Sequence, residues 1–424
     1  MIGSFVLFPY YLTLRIRHYL FDKNILKTTV PSIPVVCIGN VTVGGTGKTP
    51  MTELVIKLLS NDYRVAVLSR GYGRKSKGFL FVGTGDSSID VGDEPLQIKR
   101  KFPQITVAVD KERTRGIERL ASLPENERPE LIILDDGFQY RRLTPSRNIL
   151  LIDYQRPIFK DDLLPIGRLR DLPSQMKRAE CVVITKAPEF LEEGDRENLR
   201  HINHITEEQK MFVTTVKYLP PKAVFENVGD NRYIYSKEVF FFSGIANDKP
   251  VILHLSDKYE LISHKTFSDH HNFTQSEMVS LVKYANNNPR TLLLTTEKDA
   301  QRLLNDKYLT EEVKRRLFFL PVETEFLSSE DTEGFRNYIL SGLTTDKGNT
   351  PREQEEEIKE TREETPAKQE EVRIPETGEV QEADKTPHEE PLPQDEEPED
   401  KKKADSGEPV YIGPVEPVNG GLLF

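Results

Sequence analysis

The chain has 424 residues, with 58 basic and 69 acidic side chains and a formal charge of −11. That length exceeds one ordinary core and points to two domains. The acidity belongs to the tail: residues 346–424 hold 24 acidic and 10 basic side chains, which leaves the first 345 residues near neutral and slightly basic. An acidic tail and the lack of a long Lys/Arg stripe argue against a general nucleic-acid binder. The two cysteines, Cys37 and Cys181, sit in apolar runs without a CxxC partner. They read as small core hydrophobes of a reducing compartment, which argues against a disulfide scaffold or a zinc-thiolate site.

Residues 1–14, MIGSFVLFPYYLTL, precede Arg15, Arg17 and His18. The apolar part is about half of the ~20 residues a membrane span needs. It has neither a basic leader nor an A-x-A site, so it does not read as a cleaved signal peptide. The expectation for residues 1–30 is a short helix at a membrane interface. Arg15, Arg17, Lys23 and Lys27 against Asp22 favour an anionic leaflet.

From 31 to 215 short Val/Ile-rich runs alternate with longer amphipathic stretches: 34–40, 65–69, 105–109, 131–136, 149–153 and 181–185. Near-continuous apolar runs fit strands buried on both faces, and their spacing fits βαβ units. The fold class expected is α/β, a P-loop NTPase-like parallel sheet with helices on both faces. Residues 216–238, with Pro220-Pro221, read as an interdomain linker, the crossing beginning near 210. Runs at 239–244, 260–267 and 291–296, with a helical stretch near 274–287, predict a smaller α/β domain over 239–345. Residues 346–424 are low-complexity, rich in Glu, Lys and Pro, and too poor in large apolar residues to offset their ordering entropy; a disordered tail is expected.

Strand 34–39 runs into Asn40, Val41, Thr42, Val43, Gly44, Gly45, Thr46, Gly47, Lys48, Thr49 and Pro50, then a helical stretch. This is the setting of a phosphate-binding loop. The glycines let backbone N–H groups turn toward an anion, and the helix N-terminus adds positive charge. Lys48 is placed to bridge β- and γ-phosphates and Thr49 to offer its hydroxyl to Mg²⁺. Thr42 stands where the strict pattern has Gly. Four aliphatic residues followed by Asp135 and Asp136 form a Walker B-like strand end whose carboxylates hold Mg²⁺. Thr185-Lys186 is followed by Ala187-Pro188 and lacks the Asp that grips guanine, so ATP is the expected nucleotide. These parts alone also suit a P-loop ATPase switch without an acceptor.

Eight segments occur together and in order: GNVTVGGTGKTP (39–50), SRGYGR (69–74), GDEPLQ (92–97), DDGFQYRRL (135–143), LLPIGRLRD (163–171), FSGIA (242–246), SDHHNF (268–273) and TTEKDAQRL (295–303). Together they resemble the tetraacyldisaccharide 4'-kinase family over roughly residues 1–340. The resemblance implies an ATP- and Mg²⁺-dependent lipid kinase of Gram-negative lipid A biosynthesis. It implies phosphorylation of the 4'-hydroxyl of a tetraacylated glucosamine disaccharide 1-phosphate at the cytoplasmic face of the inner membrane. No obligate protein partner is implied. A carboxylate and a His from different domains form the family's catalytic dyad, and the matching residues are Asp93 and His270, with His271 the alternative. Glu94 is the expected further Mg²⁺ contact through water. Arg70, Arg113 and Arg170 are the expected substrate or phosphate contacts. Asp171, where the family usually has Glu, is the less direct one. Tyr140 replaces the family's usual His and is unsuited to acid–base duty near neutral pH. Lys298 and Asp299 are expected at the interdomain face or the nucleotide.

Overall fold

A computed structural model describes residues 2–269, 271–304 and 306–343. The tail read as disordered lies outside them. Helix α1 (Ile2–Asp22) runs through Pro9. Strand β1 (Val35–Gly39) leads through the glycine-rich loop into α2 (Lys48–Leu59). There follow β2 (Val65–Ser69), the short β3 (Leu80–Phe81), α3 (Ser88–Val91), α4 (Asp93–Lys101), β4 (Thr106–Val109), α5 (Arg113–Ala121) and β5 (Leu131–Asp135). Then come β6 (Arg147–Asp153), β7 (Cys181–Ala187), α6 (Asp195–Ile202) and β8 (Lys210–Tyr218).

The remaining elements are β9 (Lys222–Ala223), β10 (Glu238–Ser243), α7 (Lys249–Lys258), β11 (Glu260–Thr266), α8 (Gln275–Asn287), β12 (Leu292–Thr296), α9 (Glu297–Leu303), α10 (Glu311–Arg316), β13 (Leu317–Leu320), β14 (Val322–Phe326) and α11 (Ser329–Leu340).

Nine strands form one sheet in the order β14-β8-β7-β6-β1-β5-β2-β4-β3. Its pairings are parallel except at the two edges, where β3 and β14 run antiparallel to their neighbours. Alternate residues of each strand serve opposite faces. Val36 and Ile38 join Met51, Val55 and Ile56 of α2 in one apolar cluster. Val35 and Cys37 join Ile117 and Leu120 of α5 in another. Helices therefore cover both faces, as the continuous apolar runs require. Each Ile or Leu so buried contributes about 1.5–3 kcal/mol.

A second sheet has the order β11-β10-β12-β13-β9. Phe240 and Phe242 face α8 through Met278 and Leu281, while Val239 and Phe241 face α7 through Leu255.

Two boundaries differ from the sequence reading. Residues 216–218, read as the start of the linker, complete β8 inside the large sheet. Residues 322–340, read with the smaller domain, return to the large sheet as β14 and α11. There Phe326 and Phe335 pack on Phe212 of β8. Aromatic packing on a sheet edge outweighs proximity along the chain.

Candidate active site

β1 and β5 are parallel neighbours, with Ile38 opposite Asp135. Their carboxyl ends thus place the glycine-rich loop beside Asp135 and Asp136, where open α/β sheets bind ligands. Gly44 (φ 96°) and Gly47 (φ 80°) adopt left-handed conformations that side-chain-bearing residues resist. Thr42, lacking that requirement, forms an antiparallel bridge to Leu169, so the missing first Gly is accommodated by pairing with the 163–171 segment.

The loop is braced from within. Buried Asn40 donates to Thr46 Oγ1. Thr185 Oγ1 donates to the Thr46 carbonyl at 3.0 Å, and Lys186 Nζ reaches the Gly45 carbonyl and, at 2.9 Å, Asp153. Thr185 and Lys186 entered the sequence reading only through nucleobase choice, and their bracing role is new. Lys48 Nζ lies 3.9 Å from Asp136.

The two acidic residues differ in environment. Asp135 is buried and accepts long hydrogen bonds from Thr52 (3.4 Å) and Ser69 (3.3 Å). Burial, reinforced by neighbouring Asp136 and Glu94, pushes its carboxyl up to about 6 against the pull of Lys48. Burial would also raise Asp136, but the Arg170 hydrogen bond and the Lys48 charge outweigh it and bring that carboxyl down to about 2. The carboxylate oxygens of Asp135 and Asp136 and the Thr49 hydroxyl are the hard donors that suit Mg²⁺, which keeps waters and phosphate oxygens as partners. Among the described residues no group of three or more His, Cys, Asp or Glu side chains is arranged to hold a metal ion by itself.

The second set of groups meets at α4 and α9. Arg302, 6 % exposed at its side chain, donates to Asp93 at 2.6 Å and to Asp299 at 2.9 Å. Asp299 is fully buried and also accepts from the Gly244 N–H and Thr296 Oγ1. Lys298 pairs with Glu94 (3.3 Å) and Asp269 (3.6 Å). Gln301 accepts from Arg100. Glu297, pushed up to about 7 by burial, faces Lys101 at 3.6 Å. Lys298 therefore stands between the two sheets' helices, and Asp299 organises Arg302. Arg302 was the residue in TTEKDAQRL left without a role; its spacing of three from Asp299 on one helix was the available signal.

His270 lies outside the described residues. His271 is occupied elsewhere: its Nε2 is 2.9 Å from Glu277, the capping-box residue of α8, and its ring stacks on Phe267. The alternative histidine is thus held at the start of α8 by these contacts. Arg302 Nη1 approaches the His271 carbonyl at 3.4 Å, so the guanidinium that holds Asp93 also touches the backbone at His271.

The expected substrate contacts divide. Arg70 is exposed beside the site. Arg113 is 4 % exposed and donates to the Lys111 carbonyl at 3.0 Å, with Tyr140 under its guanidinium. It acts on Asp136 through its charge, not as a surface contact. Tyr140 is a packing partner with hydroxyl contacts to Thr114 and Glu112. Arg170 is committed to Asp136 and to Asn40 Oδ1, so it organises the loop. Asp171 is fully buried against His18 at 2.5 Å, which corrects its assignment as a substrate contact.

A strand–loop–helix anion cradle, two strand-end acids and an Arg-fixed carboxylate from the facing helices define a P-loop, ATP-dependent phosphotransferase. A family model described as tetraacyldisaccharide-1-P 4'-kinase matches residues 5–343. Tetraacyldisaccharide 4'-kinases of Porphyromonas gingivalis (39 % identical over 323 residues, 75 % of this chain and 90 % of the relative) and Phocaeicola vulgatus (42 % over 320 residues, 74 % and 87 %) are similar to it. So is a crystal structure of LpxK from Aquifex aeolicus in complex with ATP, at TM-score 0.61 and 27 % identity, covering 81 % of this chain and all of that one. The chain belongs to the tetraacyldisaccharide 4'-kinase family and is a lipid kinase of lipid A biosynthesis that uses ATP.

Proposed function

We propose that Asp93 and His270 serve the acceptor 4'-hydroxyl while the glycine-rich loop presents the ATP triphosphate. The observation that supports this is the Arg302 bridge, which holds Asp93 of helix α4 to helix α9 and also reaches the His271 carbonyl. His270 takes the hydroxyl proton as that oxygen bonds to the γ-phosphorus; the bond to the β-phosphate oxygen breaks and ADP leaves. Asp93, an acceptor, orients the imidazole. Lys48 and the loop amides offset charge on the phosphate oxygens. Thr49, Asp135 and Asp136, with Glu94 through water, would hold Mg²⁺, which when bound neutralises the phosphate oxygens. Arg70 meets the anionic sugar 1-phosphate.

The acceptor's acyl chains stay in the bilayer, since extraction costs about 0.8 kcal/mol per CH₂. The enzyme therefore works as a peripheral protein at the cytoplasmic leaflet. No helix among the described residues is long and apolar enough to cross a membrane. Helix α1 presents Phe8, Leu12, Ile16 and Tyr19 outward, all at least 42 % exposed, at one-turn spacing. Part-burial of four such side chains in lipid is worth a few kcal/mol, enough for reversible docking. No protein partner is required.

The test is transfer from Mg·ATP to the disaccharide lipid in detergent with Asp93→Ala and His270→Ala. Each lowers kcat by ~100-fold or more while the KM for ATP stays within threefold. Unchanged kcat in either variant removes that residue from the reaction. Sedimentation with anionic vesicles, lost in Leu12→Glu/Ile16→Glu, tests the surface reading.

A further inference from the structure

The inner face of α1 carries three polar side chains aimed at the segments that build the phosphate site. Tyr10 donates its hydroxyl to the Arg170 carbonyl at 2.9 Å. Arg17 donates to the Gln139 carbonyl at 2.6 Å. His18, 3 % exposed, meets Asp171 through Nε2 at 2.5 Å and Arg141 through Nδ1 at 2.9 Å. Both receiving segments converge on Asn40, the first residue of the loop. Gln139 donates its amide to the Asn40 carbonyl, and Arg170 reaches Asn40 Oδ1. Asn40 in turn donates to Thr46.

We infer that Tyr10, Arg17 and His18 are positioning residues for nucleotide binding, so the helix whose outer face meets the lipid also sets the geometry of Asn40 and Arg170. The lipid half of this statement rests on the surface reading given above; the positioning half does not. The chemistry of His18 fixes its state. Arg141 only donates, so Nδ1 is the acceptor and Nε2 carries the proton that points at Asp171. A ring presenting one donor and one acceptor is what the position uses. Gln offers the same pair, an amide N–H and a carbonyl oxygen; Phe fills the space and offers neither. Without the donor, fully buried Asp171 loses its closest partner, which loosens the chain next to Arg170, whose own backbone is held by Tyr10 and the Val41 carbonyl.

The experiment measures binding of a non-hydrolysable ATP analogue with Mg²⁺ to the full chain without lipid, alongside KM for ATP and for lipid. His18→Phe weakens analogue binding at least fivefold and raises the KM for ATP, with the KM for lipid within twofold of wild type. His18→Gln restores analogue binding to within twofold. Tyr10→Phe, which keeps the ring, weakens it two- to threefold. All three sediment with anionic vesicles as wild type does. Equal analogue binding by wild type, His18→Phe and Tyr10→Phe would overturn the inference, as would an equal loss in His18→Gln and His18→Phe. Should His18→Phe fail to fold, Tyr10→Phe against wild type decides. Failure of the wild type to sediment removes the surface reading and the lipid half of the inference, while the analogue comparison still decides the positioning half.

Discussion

Replacing Arg302 by Gln strikes the bridge between the two sets of helices. The guanidinium makes hydrogen bonds of 3.2 and 2.6 Å to Asp93 and one of 2.9 Å to Asp299. Hydrogen bonds to charged groups contribute about 1.5–3 kcal/mol each, so losing the pair to Asp93 removes roughly 3 kcal/mol of fixing energy. If that energy is expressed at the transition state, kcat falls on the order of 100-fold. Asp299, at 0 % exposure, also loses its cation, and a buried carboxylate stripped of its partner destabilises by about 3–5 kcal/mol. The KM for ATP holds within threefold, because the loop and Lys48 touch neither group. Arg302→Lys restores charge without the fork and recovers only part of kcat. Steady-state kinetics with disaccharide lipid in detergent, with thermal unfolding in parallel, reads all of this. A kcat within twofold of wild type in a folded Arg302→Gln variant would refute the bridge as a catalytic support.

Asp135, pushed up to about 6, binds a proton in the folded state that the unfolded chain, at 3.8, has released. Its contribution is full below the unfolded value and lost as pH rises toward 6, so metal-free stability declines across that window. Asp135→Asn therefore melts higher than wild type at pH 8 in chelator, loses the difference at pH 4, and loses Mg²⁺-dependent activity; calorimetry at both pH values checks it. Truncation after Thr345 removes sequence beyond the matched 5–343 region and leaves lipid kinase activity within twofold. A tenfold loss in that assay would give the acidic tail a part in the reaction.

The sequence was most readable where a function is built from neighbours in the chain. β2 was expected at Val65–Ser69 and forms there, since five consecutive apolar or small residues admit one burial pattern. The phosphate loop is likewise local, the eight residues 40–47 between β1 and α2, whose glycines carry their own conformational signal. β14 was missed because VETEF alternates with charges and its edge position tolerates exposure. The burial of Asp171 and Arg113 was not legible for a related reason. Their burial is decided by His18, 153 residues away, and by the packing around Tyr140. Residue type and spacing announce that a charge is near the site, but only tertiary contacts decide whether it faces substrate or holds the machinery in place. Arg302 shows the same limit: its helix partner was visible in the spacing, its 2.6 Å contact to Asp93 was not.

The most direct measurement is transfer of labelled γ-phosphate from ATP to purified tetraacyldisaccharide 1-phosphate by the wild-type chain and by Lys48→Ala. Labelled bisphosphorylated lipid from the wild type, reduced at least ~1,000-fold in the variant, is the predicted result. ATP consumption indifferent to the lipid, or labelled lipid formed equally by Lys48→Ala, would contradict the account.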